Sequence, residues 1–385
     1  MAAEGLKDAL RRYVGWLESR ALPLWAGAGW DARRGGFFEA LDFAGAPVEG
    51  APRRVRVQAR QIYAFAETAR IGWAPEGAAL AAKGFEYFLG KACPGAGARG
   101  CVHLLEADGA VADDRRDLYD QAFLLLACAS VWRSAADRRA LDLAEAALAF
   151  LDSELAAPAG GYLEDDRGTR PRRQNPHMHL FEALLALHAA TGEEAFLKRA
   201  DAIFALFTAH FFDRRNGRLV EFFDDALAPA PGEAGRTLEP GHMTEWVWLL
   251  DAYGAARGAD VAAMRRELFD GARRLGADPA SGFLIDSVVA GDAAPDRSRR
   301  LWPQTEYLRA ALVMARHGSA EAASVAAGLV DALFDTYLDQ PVAGLWCDRY
   351  DGAGRPVAKD VPASILYHLL SAALEARRFL AEKAA

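Results

Sequence analysis

The sequence predicts an all-α fold, an (α/α)6 barrel in which six helical hairpins close into a toroid with short β-hairpins in the long loops. Three observations carry this prediction. Four helix starts share an X-Pro step, at Asn175-Pro176, Glu239-Pro240, Trp302-Pro303 and Val361-Pro362, with the prolines 64, 63 and 59 residues apart. Two earlier segments, from about Val55 and from about Asp117, fit the same spacing without proline. Six Gly-plus-apolar segments precede these starts in turn, beginning at Gly35, Gly100, Gly160, Gly217, Gly282 and Gly344, and each reads as a hairpin strand. The period is therefore about 60 residues, which is longer than most open solenoid repeats.

A second set of six helices lies between those markers, near Leu6–Arg20, Gly77–Lys91, Ala136–Leu155, Glu193–Phe212, Val261–Leu275 and Ala320–Leu338. Short joints with breakers, such as Thr191-Gly192 and His317-Gly318, lead from the first set into the second. The joints back are long and hold the hairpins. The Pro-started helices are richer in Trp, His and Phe, which places them inside. The evenly charged set, exemplified by Asp137-Arg138-Arg139, goes outside. No linker or low-complexity stretch interrupts the pattern, so residues 1–385 are expected to form a single domain.

Composition narrows the function. The hydrophobic fraction is 52%, enough for a large core, and the formal charge of −8 with no basic stripe argues against a nucleic-acid partner. Met1 to Arg20 is an amphipathic helix without an apolar signal core, and no run of 18 apolar residues occurs, so neither secretion nor a membrane span is expected. Cys93, Cys101, Cys128 and Cys347 show no CxxC spacing. Cys93 and Cys101 can pair in principle, but a reduced, cytoplasmic protein is the expectation.

Parallel inner helices bring their first two turns to one mouth of the ring. Those turns carry Arg60, Tyr119, Asp120, Asn175, His177, His179, His242, Glu245, Trp302, Gln304, Glu306 and His368. His242 lies three residues before Glu245 and four before Trp246, so these share a helix face, as do Asn175 with His179 and Trp302 with Glu306. Each residue has a plainer reading. Asn175 is also a good N-cap, Arg60 can pair with a glutamate, and Trp302 can plug the core. His177 should face away, being two residues from His179. His188, His210 and His317 read as structural, and His103 stays open between the mouth and the loop. The arginine clusters at Arg53-Arg54-Arg56, Arg170-Arg172-Arg173 and Arg297-Arg299-Arg300 read as solvated, with a rim phosphate site as the alternative.

The segments Ala59-Arg60-Gln61-Ile62-Tyr63-Ala64-Phe65, Tyr119-Asp120-Gln121-Ala122-Phe123, Asn175-Pro176-His177-Met178-His179-Leu180-Phe181-Glu182-Ala183, Pro240-Gly241-His242-Met243-Thr244-Glu245-Trp246, Trp302-Pro303-Gln304-Thr305-Glu306 and Tyr367-His368 occur in this order. Through them the chain resembles the N-acylglucosamine 2-epimerase family, which includes mannose isomerases and cellobiose 2-epimerases. The resemblance implies that His242 and His368 are the acid/base pair. It implies that Arg60 and Asn175 bind sugar hydroxyls or the carbonyl oxygen, that Trp302 stacks on the sugar, and that His179, Glu245 and Glu306 bind substrate or orient the catalytic groups. Tyr119 joins the substrate-binding set by its place at the mouth. The expected chemistry is aldose–ketose isomerisation of the mannose-to-fructose type through a cis-enediolate, with 2-epimerisation as the alternative. The partner would be a mono- or disaccharide, the chain a monomer or homodimer, and no cofactor is expected. A glycoside hydrolase using Glu245 with Glu306 or Asp120 is the rival of another class. A metal held by His177, His179, His242 and Glu245 is a further, weaker rival.

Overall fold

The computed structural model describes residues 2–292 and 295–382. Met1, Ala293, Ala294 and the last three residues, all inside the expected domain, lie outside the described residues. The chain opens with α1 (Ala2–Trp16), a π-turn and α2 (Leu22–Gly27). Then come α3 (Val55–Arg70), α4 (Gly77–Tyr87), α5 (Leu118–Ala135), α6 (Arg138–Phe150), α7 (Gln174–Thr191) and α8 (Glu194–Leu206). The last five are α9 (Pro240–Arg257), α10 (Ala262–Gly276), α11 (Leu301–Arg316), α12 (Ala320–Leu333) and α13 (Ile365–Glu382). The odd-numbered helices from α3 to α13 form the inner ring, and α1 with the even-numbered helices from α4 to α12 packs around it. The inner helices are buried almost all round, with every residue from Pro240 to Asp251 of α9 buried. That is why their sequences lack a polar stripe.

The ring is sewn together at the mouth by short antiparallel pairings that link neighbouring repeats. The two residues entering each inner helix pair with the hairpin of the next repeat. Arg53-Arg54 pairs with Leu104-Leu105, Arg172-Arg173 with Phe222-Phe223, Thr237-Leu238 with Val288-Val289, and Arg299-Arg300 with Arg349-Tyr350. A single bridge between Asp117 and Asp165 fills the second joint. Val361-Pro362 pairs with Ala40-Leu41 and closes the circle. The Gly-plus-apolar segments are thus not regular hairpin ladders. Only Arg218-Leu219 forms a paired strand within its own repeat, with Phe212-Asp213. Phe37, Tyr162 and Leu284 make isolated bridges instead. Glutamines in the first turns stand in for the missing strand partners. Gln58 bonds both backbone groups of Phe37 at 2.7 and 2.8 Å, Gln121 those of Cys101 at 2.9 and 2.8 Å, and Gln304 those of Leu284 at 2.8 and 2.8 Å. An amide side chain offers one donor side and one acceptor side, as a peptide does, so it satisfies buried backbone that would otherwise be orphaned.

The proline rule needs one correction. Pro240 opens α9, and Pro176 and Pro303 sit third in α7 and α11, where the first-turn N–H has no partner in any case. Pro362 is instead a strand residue, and α13 begins three residues later at Ile365. Asn175 is not a cap either: Arg173 occupies that position, and Asn175 lies within the first turn.

The arginine pairs are not solvated. Arg53 and Arg172 are 1% exposed. Arg53 donates to Asp31 Oδ2 at 2.6 Å, and Arg172 donates to the carbonyls of Gly160 and Tyr162 at 2.6 and 3.1 Å. Their neighbours Arg54, Arg173 and Arg300 pair with Glu39, Glu164 and Asp286 of their own hairpins. Only Arg170 and Arg297 extend into solvent. All four cysteines are buried free thiols. No helix among the described residues is long and apolar enough to cross a membrane.

Candidate active site

Because the inner helices all start at the hairpin side, their first turns converge on a cavity of about 340 Å³. Its walls include Arg60, Tyr119, Asn175, His179, His242, Glu245, Trp302 and His368. Eight of the nine residues singled out from the sequence therefore meet in one place. The ninth, Glu306, is fully buried behind the wall: its Oε1 accepts from His368 Nδ1 at 2.7 Å and its Oε2 from Trp248 Nε1 at 3.0 Å. It orients a histidine and does not face the cavity.

Trp302 packs against both histidines, its ring centre 5.1 Å from that of His242 and 5.6 Å from that of His368. The imidazoles are held in opposite charge states. His242 Nδ1 lies 3.0 Å from Glu221 Oε2 and 3.8 Å from Glu239 Oε2. Burial opposes the charged form, but the Glu221 carboxylate, followed by Glu239, outweighs it and pushes the pKa up to about 10. His368 goes the other way. Burial, reinforced by the Arg60 charge, holds it well below the ordinary histidine range. With Nδ1–H donated to Glu306, neutral His368 has a free lone pair on Nε2, whereas His242 presents an N–H there.

The remaining polar groups complete the wall. Arg60 Nη2 donates to Tyr119 Oη at 2.9 Å, and its guanidinium carbon lies 4.1 Å from the centre of the Phe123 ring. Among the described residues no glutamate forms a salt bridge with it. His179 Nδ1 is 3.0 Å from Glu182 Oε2, whose carboxylate also accepts from Tyr367 Oη at 2.6 Å. His179 Nε2 is 3.9 Å from Glu245 Oε1. Burial, with the nearby Glu306 charge, lifts the Glu245 pKa well above the usual carboxylate value, which favours its neutral form. Asn175 Oδ1 is buried without a hydrogen-bond partner at the cavity edge, as a group awaiting a ligand would be.

The rival sites are not assembled. His177 faces away, as expected: Nε2 accepts from the Tyr162 N–H at 3.0 Å and Nδ1 donates to the Arg173 carbonyl at 3.0 Å. The four-residue metal set therefore does not converge. Glu245, Glu306 and His368 do bring ligand atoms within 4.8 Å of one another, but the Glu306 oxygens are already taken by His368 and Trp248. A hydrolase dyad fails for the same reason, and Asp120 is held by Arg56 and by His103 at 2.6 Å. That contact also settles His103, which does not line the cavity.

Sequence reasoning missed Glu221 and Asp348. A signal for both exists. The residue that ends the second Gly-plus-apolar segment is His103, and those that directly follow the other five are Glu39, Glu164, Glu221, Asp286 and Asp348, so a polar group recurs beside the segment in every repeat. In three repeats it holds the arginine entering the inner helix; in the fourth that role passes to His242. Asp348 lines the cavity, with its pKa raised by burial to about 6.

The family model for N-acylglucosamine 2-epimerase (GlcNAc 2-epimerase) matches residues 36–372. A mannose-6-phosphate isomerase of Rhizobium meliloti (strain 1021) is 38% identical over 370 residues, covering 94% of this chain and 95% of the relative. A D-mannose isomerase of Thermobifida fusca is 31% identical over 240 residues, covering 56% and 57%. The solved cellobiose 2-epimerase of Spirochaeta thermophila DSM 6192 superposes with a TM-score of 0.87 at 23% identity, covering 99% of this chain and 98% of that one. With its helical toroid, its histidine-lined cup and a match over nearly its whole length, the chain belongs to the N-acylglucosamine 2-epimerase family and is an enzyme of sugar isomerisation or epimerisation.

Proposed function

We propose that the protein is an aldose–ketose isomerase of the mannose-to-fructose type. The observation that carries this reading is the pair of unlike imidazoles packed against Trp302. The open-chain aldose lies against the indole. His368 Nε2 takes the C2 proton, the C2–H electron pair forms the C1=C2 bond, and negative charge moves to O1. Arg60 and the His242 N–H stabilise that charge. His368 then returns the proton to C1 on the same face while the O2 hydroxyl proton passes to the neighbouring O1, so that O2 becomes the carbonyl, O1 the hydroxyl, and the ketose leaves. His179, Asn175 and the neutral Glu245 bond the remaining hydroxyls. A single base suffices, so neither histidine has to be reset between turnovers.

Arg54, Arg56 and Arg300 also line the cavity mouth, where Arg54 and Arg300 remain about one-third exposed. This favours a second reading of substrate form, a hexose 6-phosphate, as in the name of the Rhizobium meliloti relative. Incubating the protein with mannose and with mannose 6-phosphate, followed by NMR of the products, tests both. Fructose or its 6-phosphate is expected, and glucose forming without the ketose would overturn the isomerase reading.

The charge on His242 makes a pH prediction. Its protonated form persists up to about pH 10 because of Glu221 and Glu239. Removing one carboxylate lowers the pKa, so the acid is lost at lower pH. The alkaline limb of kcat/KM should therefore move to lower pH in Glu221→Gln. A limb that stays at the wild-type position would remove His242 from the acid role.

A further inference from the structure

We propose that Glu221 and Glu239 decide the reaction outcome: they hold His242 as a donor to oxygen only, so the substrate carbon is reprotonated from the His368 side and the product is the ketose, not the C2 epimer. The inference rests on the isomerase reading above.

Epimerisation and isomerisation share the enediolate and part company at one proton. To give the epimer, His242 Nε2–H must deliver its proton to C2 from the face opposite His368, while O1 returns to the carbonyl. The N–H bond breaks, a new C2–H bond forms, and His368 keeps the proton it took. His242 is then neutral. Its Nδ1 remains 3.0 Å from Glu221 and 3.8 Å from Glu239, which now face each other with no cation between them. Like charges sharing a buried site are costly. The ketose route leaves His242 charged and avoids that state.

The surroundings offer little relief. Glu221 is 2% exposed, its Oε2 accepts also from Gln174 Nε2 of α7 at 3.0 Å, and its Oε1 has no partner. Gln174 is in turn fixed by Trp246 Nε1 at 2.9 Å. Apart from His242, the cations that act on Glu239 among the described residues are Arg300, 3.8 Å away and shared with Asp286, and Arg173. On the other sides His242 meets the Trp302 ring of α11 and, three residues along its own helix, Glu245. The carboxylate pair thus stabilises the donor form from the chain entering α9 and from the preceding hairpin together.

The test compares wild type, Glu239→Gln and Glu221→Gln on the sugar that the wild type converts to ketose, following glucose-type and fructose-type products by NMR. The Glu239 side chain makes no hydrogen bond to His242, and its carbonyl, which accepts from the His242 N–H at 3.0 Å, is untouched by the substitution, so the variant keeps the Glu221 contact and the imidazole orientation. The epimer-to-ketose ratio should rise in both variants, by about tenfold for each pKa unit that His242 loses. A ratio equal to wild type in both, at reduced or unchanged rate, would overturn the inference. Failure of the isomerase reading shows separately, as absence of ketose from the wild type.

Discussion

Replacing His368 by asparagine is expected to lower kcat/KM for ketose formation by about 10²–10⁴-fold, the usual contribution of a positioned general base. The residue sits on the fourth position of α13, 4% exposed, with Nδ1 fixed on Glu306. Its pKa is held down by burial and by the Arg60 charge, so it is a ready proton acceptor at neutral pH. Asparagine retains an amide donor for Glu306 but offers no basic nitrogen to the substrate. Glu306 keeps Trp248 Nε1 at 3.0 Å and the Arg309 charge at 3.8 Å, so the buried carboxylate is not stranded. The melting temperature should therefore stay near wild type, checked by circular dichroism beside the kinetics. A variant that folds and turns over at the wild-type rate would remove His368 from the chemistry.

Arg60→Met should cost about 10²–10³-fold in kcat, the scale seen when a group facing a developing oxyanion is removed. Arg60 is 6% exposed, yet among the described residues no carboxylate lies within 4 Å of its guanidinium. Its Nε has no partner, and its charge rests on aromatic faces and the Tyr119 hydroxyl. A buried cation without a counter-ion weakens the fold, and methionine fills much the same space over Phe123 without that charge. Stability should accordingly be unchanged or higher while turnover falls, the pattern of a residue kept for function. A variant that loses stability and rate together would point to a structural role. Lysine is not an equivalent replacement, because it lacks the planar fork that serves two oxygens.

Much of this architecture can be read from the chain. The period of about 60 residues places twelve principal helices because two helices and a hairpin are needed to carry the backbone round each step. The outer helix expected over Ala136–Leu155, for example, is found as α6 with a π-turn running to Leu155. Pro362 misleads because proline fits a strand entry as well as a first turn, and only the pairing with Ala40 distinguishes them. The arginine pairs mislead because a run of cations in a loop looks solvated until its partners appear. Glu39, Glu164 and Asp286 lie 9 to 15 residues before the arginines they hold, on the far strand of a turn.

Residue type and periodicity alone placed His242, His368, Arg60 and Trp302 at one end of one ring, since each falls in the first turns of an inner helix. Their chemical character was decided by the tertiary structure. Two histidines of the same intrinsic basicity end as a cation and a neutral base: burial opposes the charge on both, the Glu221 carboxylate outweighs it at His242, and at His368, held by Glu306, the Arg60 charge adds to it. Those partners stand 21 and 62 residues away along the chain, and proton affinity depends on distance in space.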